Sequence, residues 1–223
     1  MSPGVQLLKT EKTRLHRKPD RGAYDRDTVN AILDEGLICH VAFLCHDQPY
    51  ALPTIYGRSG DRLLVHGSRA SRMLRVLGTG ANVCITVVLL DGLVLARSAR
   101  MHSVNYRSVV IVGAAKEITD DHDKTLALQC IVEHVMPGRW QEVRPPNKKE
   151  LKETSILEVS IREGSAKIRS GPPLYSAEDS NLRVWSGEIP LRVLAQEPIP
   201  DPRGIAGIQV PGYLREYLVR RGP

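Results

Sequence analysis

"LICHVAFLCHDQPYALPTIYGRSGDRLLVHG", residues 37–67, decides the fold. It holds three short runs rich in apolar and β-branched residues, 37–44, 49–57 and 62–67. They are separated by "HDQP" and "RSGD", which carry turn chemistry. Linkers this short cannot hold crossover helices, so successive strands must run antiparallel. The same texture continues in "NVCITVVLL" (82–90), "DGLVLARSA" (91–99), "VNYRSVVIVGAAKEI" (104–118) and "ILEVSIREGSAKIR" (156–169). The expected class is therefore mainly β (α+β), with six or seven antiparallel strands closing as a barrel and a few flanking helices.

Two helices stand out by period. "YDRDTVNAILDEG" (24–36) offers Asp25 or Asp27 as cap, Val29, Ile32 and Leu33 as an apolar face, and Gly36 as a left-handed stop. "DDHDKTLALQCIVEHVMPG" (120–138) offers Asp120 or Asp121 as cap, Leu126, Cys130, Ile131 and Val135 as a buried stripe, and Pro137-Gly138 as the stop. Three regions follow: a basic arm over 1–22, a barrel domain over 23–169, and a Pro/Gly-rich tail over 170–223. The tail is expected to extend over the barrel or a partner subunit.

The 223 residues suit one core with appendages, and 42% hydrophobic with 25% charged residues marks an ordinary folded chain. No apolar run approaches the ~20 residues of a membrane helix. The N-terminus has no signal-peptide core, so a cytoplasmic location is expected. Cys39, Cys45, Cys84 and Cys130 form no close pair and read as buried thiols. The net charge of +6 raises the question of nucleic acid. The clustered cations, Lys9 to Arg21, sit on the arm, and a solvated arm is the expectation.

Chemistry concentrates in "HGSRASR" (66–72), where a period-two strand meets helically spaced Met73, Leu74 and Leu77. Free amides at such a junction, with Ser68, Ser71, Arg69 and Arg72, make a phosphate cradle, and Gly67 would let a ligand approach the backbone. The competing reading is an N-cap serine and a solvated arginine face. The second stretch, from Ser103, places Ser103, Asn105 and Arg107 on one strand face and Val104, Tyr106 and Ser108 on the other. Each face passes from polar to apolar, as at the mouth of a small barrel. Motifs for Rossmann nucleotide binding, serine hydrolysis and zinc proteolysis are absent from the sequence.

With "PGRW" and "KIRSGPP", these pieces resemble the pyridoxamine 5′-phosphate oxidase-like flavoproteins with the FMN-binding split barrel, in the branch of nitroimidazole-resistance proteins. The resemblance implies a homodimer enclosing FMN between subunits and a flavin-dependent oxidoreductase acting on a small molecule, such as a nitro or quinone-like acceptor. It puts Pro53, Thr54 and Tyr56 beside the flavin ring and His66 near the ring or ribityl chain. His66 is then the one candidate catalytic residue. Gly67, Ser68, Ser71 and Arg72 fall at the phosphate, Ser98, Ser103, Asn105 and Tyr106 in the neighbouring wall, and Trp140 over the ring. Met73 stands where many relatives have a phosphate-binding lysine, so Arg72 or Arg69 must substitute. The alternative is a non-catalytic protein that binds FMN, haem or a deazaflavin, with His40, His66 or His102 for iron. No bound metal site, membrane or nucleic acid is expected.

Overall fold

A computed structural model describes residues 6–205 and 207–222; residues 1–5 of the arm lie outside them. The strands are β1 (Gly22–Ala23), β2 (Ile38–Cys45), β3 (Gln48–Ile55), β4 (Gly57–Ser59), β5 (Arg62–Ser68), β6 (Asn82–Leu95), β7 (Ser103–Glu117), β8 (Thr154–Ser160), β9 (Gly164–Arg169) and β10 (Gly187–Pro190). The helices are α1 (Arg26–Glu35), α2 (Arg72–Leu77), α3 (Asp121–Val135), α4 (Lys148–Glu153) and α5 (Gly212–Arg221). The main path runs β3-β2-β6-β7-β8-β5-β4, every pairing is antiparallel, and β9 leaves β7 to form a branch. The sheet curls as a split barrel and does not close.

The runs 82–90 and 91–99 join in one strand, β6, because Asp91 is absorbed as a bulge between Leu90 and Gly92. The run 49–57 divides the other way, into β3 and β4. Val41, Phe43, Ile85, Val87, Val109 and Ile111 fill the barrel, while Leu64 and Ile156 face outward under Ala127 and Ile131 of α3.

Asp25 caps α1 by accepting the Thr28 N–H at 2.8 Å. Gly36 is not the left-handed stop expected; its φ is −71°. It is needed for closeness, since a Cβ there would lie 2.5 Å from Val87 and 2.8 Å from the Tyr56 hydroxyl. Asp120 caps α3, but the buried face is Lys124, Ala127 and Ile131, and Leu126 is 49% exposed. The stripe was misphased because a lysine occupies the inner face, where its ammonium donates to the Leu151 and Thr154 carbonyls. Only Cys39 is a buried thiol; the other three cysteines are half-buried.

The described part of the arm keeps Lys9, Lys12, Arg14, Arg17 and Lys18 exposed, as expected, but it is anchored. Leu7 is buried, the Leu7 and Leu8 amides bond to the Tyr24 and Arg162 carbonyls, and Thr13 is buried beside Tyr24. The segment after residue 170 is less extended than its Pro and Gly content implied. It adds β10 to the free side of β6 and ends in α5.

Candidate functional site

The corner expected at a phosphate lies where β5 turns into α2. The Ser71 N–H donates to the Ser68 carbonyl at 2.9 Å, and the Ser68 hydroxyl accepts the Ala70 N–H at 3.2 Å. Ser71, not Ser68, is the N-cap of α2, and its hydroxyl makes no capping bond. The corner thus keeps one uncommitted hydroxyl beside the first-turn amides. Arg72 lies with its guanidinium 5.0 Å from the Tyr50 ring, and among the described residues neither Arg69 nor Arg72 pairs with a carboxylate.

Gly67 also serves packing, since a Cβ would meet the end of the Leu74 side chain at 3.0 Å. Beside the corner an open groove of about 610 Å³ is lined by Ser68, Arg69, Lys149, Lys152 and Glu153. The two lysines come from α4, a helix the periodicity reading missed. Its signal was local: Asn147 and Glu150 form a reciprocal capping box in "PNKKELKE".

His66 pairs across from Ile156, so its ring points to the side under α3 and not into the barrel. Burial pushes its pKa down, and its Nδ1 is enclosed without a partner. The result is a neutral imidazole with an unmet hydrogen-bonding atom one residue from the corner.

The other expected residues divide. Pro53 lies on the outer face of edge strand β3, opposite His40, and Thr54 is half-buried on the inner face. Tyr56 is unavailable to a ligand ring: it is fully buried, donates to the Leu33 carbonyl and packs 4.6 Å from the His134 ring. Trp140 is half-buried on a short turn held by Glu133, which accepts the Trp140 N–H at 2.7 Å.

Ser98 and Ser103 sit at the far end of the β6–β7 hairpin, and Asn105 and Tyr106 follow. The Ser98 hydroxyl donates to Asp179 at 2.8 Å, while Arg97 stacks on Tyr175 and donates to the Ser180 carbonyl. Asn105 is 7% exposed, donates to Glu188 and accepts from buried Arg169, which also holds the Gly171 and Pro172 carbonyls. The carboxamide therefore fastens the C-terminal segment. Arg107 is clamped by Glu35 and Asp91, which push its pKa up. Its polar start to the strand is thus consumed within the chain.

One chain does not bring the two sets together. Arg72 lies at Tyr50, Tyr50 pairs with Phe43, and Ala42 beside it pairs with Cys84. From Cys84 to Val94, beside Ser103, the strand climbs roughly 30 Å at strand rise. Between the two ends lies an outer sheet face on which Ile38, Leu44, Val88 and Leu90 are exposed, with His40 among them. A sheet face that meets water is normally polar. This one is apolar across two neighbouring strands, β2 and β6, as at a contact surface.

No helix among the described residues is long and apolar enough to cross a membrane, and no cluster of three metal-ligating side chains occurs among them.

Residues 25–168 match the family model described as pyridoxamine 5′-phosphate oxidase. Over 93% of its length the chain is 39% identical to the flavocytochrome Anf3 from Azotobacter vinelandii, 96% of which is covered, with a TM-score of 0.88. It is 33% identical to the FAD and haem binding protein from Mycobacterium smegmatis, with 88% of this chain and 96% of that one covered and a TM-score of 0.84. A putative 5-nitroimidazole antibiotic resistance protein from Bacteroides thetaiotaomicron shares the fold at 22% identity, with 66% and 86% covered and a TM-score of 0.56. No curated protein matches the chain.

Proposed function

The chain belongs to the pyridoxamine 5′-phosphate oxidase family, and from that premise we propose that it is a flavin- and haem-dependent oxidoreductase working as a homodimer. The observation that carries this is the match along nearly the whole chain to a flavocytochrome, joined to a cationic corner with a spare hydroxyl. The residues fit a flavin. The Ser71 hydroxyl, the first amides of α2 and the Arg72 guanidinium would hold a phosphate.

FAD is favoured over the FMN expected from sequence. FMN has one phosphate, whereas the second phosphate of FAD would have the groove beside the corner, where Arg69 and Lys152 stand with an ion pair of Lys149 and Glu153. A flavin takes up electrons in pairs and gives them up singly, and a haem passes them on one at a time. The protein supplies charge, orientation and exclusion of water.

The second copy is favoured by the split site. The apolar outer face of one protomer, covered by the same face of its partner, would bring the corner of one chain toward the hairpin tip of the other. The test is the absorption spectrum of the purified protein with mass spectrometry of what denaturation releases. FAD and haem b with a flavin band bleached by NADH or NADPH are expected. Bound cofactor that resists both donors indicates a carrier rather than an enzyme, and a colourless protein that takes up neither cofactor overturns the reading.

A further inference from the structure

We infer that residues 196–211 form a finger whose apolar tip seats in a groove of a second copy of this chain, beside that copy's corner; this rests on the homodimer in the proposed function. The family model ends at residue 168, so the finger is an addition to the shared barrel.

The stretch is anchored at both ends. On one side Pro190 of β10 faces Gly92, the Leu191 N–H donates to the Asp91 carbonyl at 3.0 Å, and the Ala195 N–H donates to the Arg221 carbonyl at 2.8 Å. On the other side α5 is docked through Tyr213, which lies against Gly138, accepts from Arg139 at 2.9 Å and donates to Glu142 at 2.6 Å. At helical rise α5 is about 15 Å long, and its last turn lies at Ala195. A few extended residues would close that gap, whereas 196–211 can span about 50 Å. The excess stands off as a finger of up to roughly 20 Å.

The finger turns back at "DPRG" (201–204), where the Gly204 N–H donates to the Asp201 carbonyl at 2.8 Å and the Asp201 carboxylate accepts the Arg203 N–H at 2.9 Å. Asp, Pro and Gly at the first, second and fourth positions favour such a turn. Pro198, Pro200 and Pro202 stiffen the limb that leads to it. Ile199 precedes the turn and Ile205 follows it, 94% and 80% exposed. A stiff, apolar tip of this kind is preorganised for a contact that its own chain does not provide.

The root of the finger points to the partner. Asp91 adjoins Leu90, and Arg221 donates to the Glu35 carbonyl, three residues before Ile38, so the finger rises at the rim of the apolar face of Ile38, Val88 and Leu90. With a two-fold axis between two such faces and across their strands, the Cys84 end of one chain stands over the Leu90 end of the other. At the Cys84 end lies an open groove of about 410 Å³, lined by Ala42, Leu44, Pro49, Tyr50 and Cys84, with Lys12 beside them. It has room for the side chains of Ile199 and Ile205. Among the described residues Lys12 pairs with no carboxylate and Glu197 of the finger with no cation, so the charges match as well. An anionic lipid surface would instead repel Glu197 and Asp201. Tyr50 carries Arg72 over its ring, so a seated finger would brace the corner of the other chain.

The experiment uses the full-length protein. The photocrosslinker p-benzoylphenylalanine replaces Ile199 in mixtures of isotope-labelled and unlabelled chains. Analytical ultracentrifugation reads the dimer dissociation constant of the parent, of Ile199→Asp with Ile205→Asp, of Leu44→Asp in the groove, and of Leu126→Asp on α3, which packs on β4 and β5. Irradiation is expected to join labelled to unlabelled chains at peptides that hold Leu44 or Cys84. The double substitution and Leu44→Asp should each weaken the dimer about tenfold or more, with circular dichroism unchanged, and Leu126→Asp should match the parent. Crosslinks confined to one chain overturn the finger, and a dimer that persists there leaves the homodimer reading intact. Crosslinks to another part of the partner overturn the groove. A double variant that dimerises like the parent but no longer sediments with phosphatidylglycerol vesicles assigns the tip to a membrane and overturns the inference. A parent that stays monomeric at every concentration overturns both readings.

Discussion

Ser71→Ala with Arg72→Ala tests the corner, and the structure sets both its size and its control. An arginine bond to a phosphate contributes about 1.5–3 kcal/mol net, and a hydroxyl bond about 1 kcal/mol. Their joint loss should therefore weaken flavin binding by about 100- to 1,000-fold. Stability should hardly move. Ser71 makes no capping bond to lose, and the Arg72 contact with Tyr50 is an exposed cation–π pair of about 0.5–1 kcal/mol. At roughly 2–4 °C per kcal/mol for a chain of this size, the melting temperature should fall by no more than about 4 °C. Flavin fluorescence titration into the stripped protein reads the affinity, and thermal unfolding without cofactor reads the control. Unchanged affinity would refute the phosphate assignment. A fall matched by a large loss of stability would show that the corner is structural. Ser68→Ala is the internal comparison, because its hydroxyl already serves the Ala70 N–H, so its effect on flavin should be the smaller one.

Gly57→Ala should cost about 1–3 kcal/mol, since a Cβ would stand 2.9 Å from Ile131 Cα and backbone cannot swing aside; a melting temperature unchanged within 1–2 °C, roughly half the shift of 1 kcal/mol, would contradict the packing. Asn105→Ala removes a partner of buried Arg169 and of Glu188, so limited proteolysis should cut near 170–190 faster, whereas equal cleavage rates would detach Asn105 from that role. Burial lowers the pKa of His66 and His134 from the usual 6.5. Below about pH 6.5 the unfolded chain binds more protons there than the native one, so their contribution to stability is complete above 6.5 and lost as pH falls through that region. Melting curves between pH 8 and 5 should show that decline, and His134→Phe with a pH slope equal to the parent's would remove its share.

The strands were legible because their runs are apolar and divided by turns, but their order was not, since β2 pairs with β6 and β5 with β8 across long stretches of chain. Asp25 and Asp120 announced two helices because capping is local. Lys124 hid the inner face of α3, since a buried lysine satisfied by two carbonyls looks like a surface residue in a sequence. The corner was found by residue type and junction, but which of Ser68 and Ser71 stands at the N-cap depends on one turn's register. Asn105 and Tyr56 were polar groups in a promising place whose partners, Arg169 and the Leu33 carbonyl, lie 64 and 23 residues away. No pattern along the chain reveals such closures. The helix that carries Lys149 and Lys152 had a local capping signal, but its place beside the corner, like the fastening of the C-terminal segment, rests on long-range contacts.

Native mass spectrometry of the protein purified without added cofactor addresses the central claim most directly, because it weighs chains and cofactors together. The account predicts a dimer carrying two flavins, with haem adding its own mass, and a double substitution at Ser71 and Arg72 that keeps the dimer while shedding flavin. A monomer that holds no flavin, even after incubation with FAD and FMN, would contradict it.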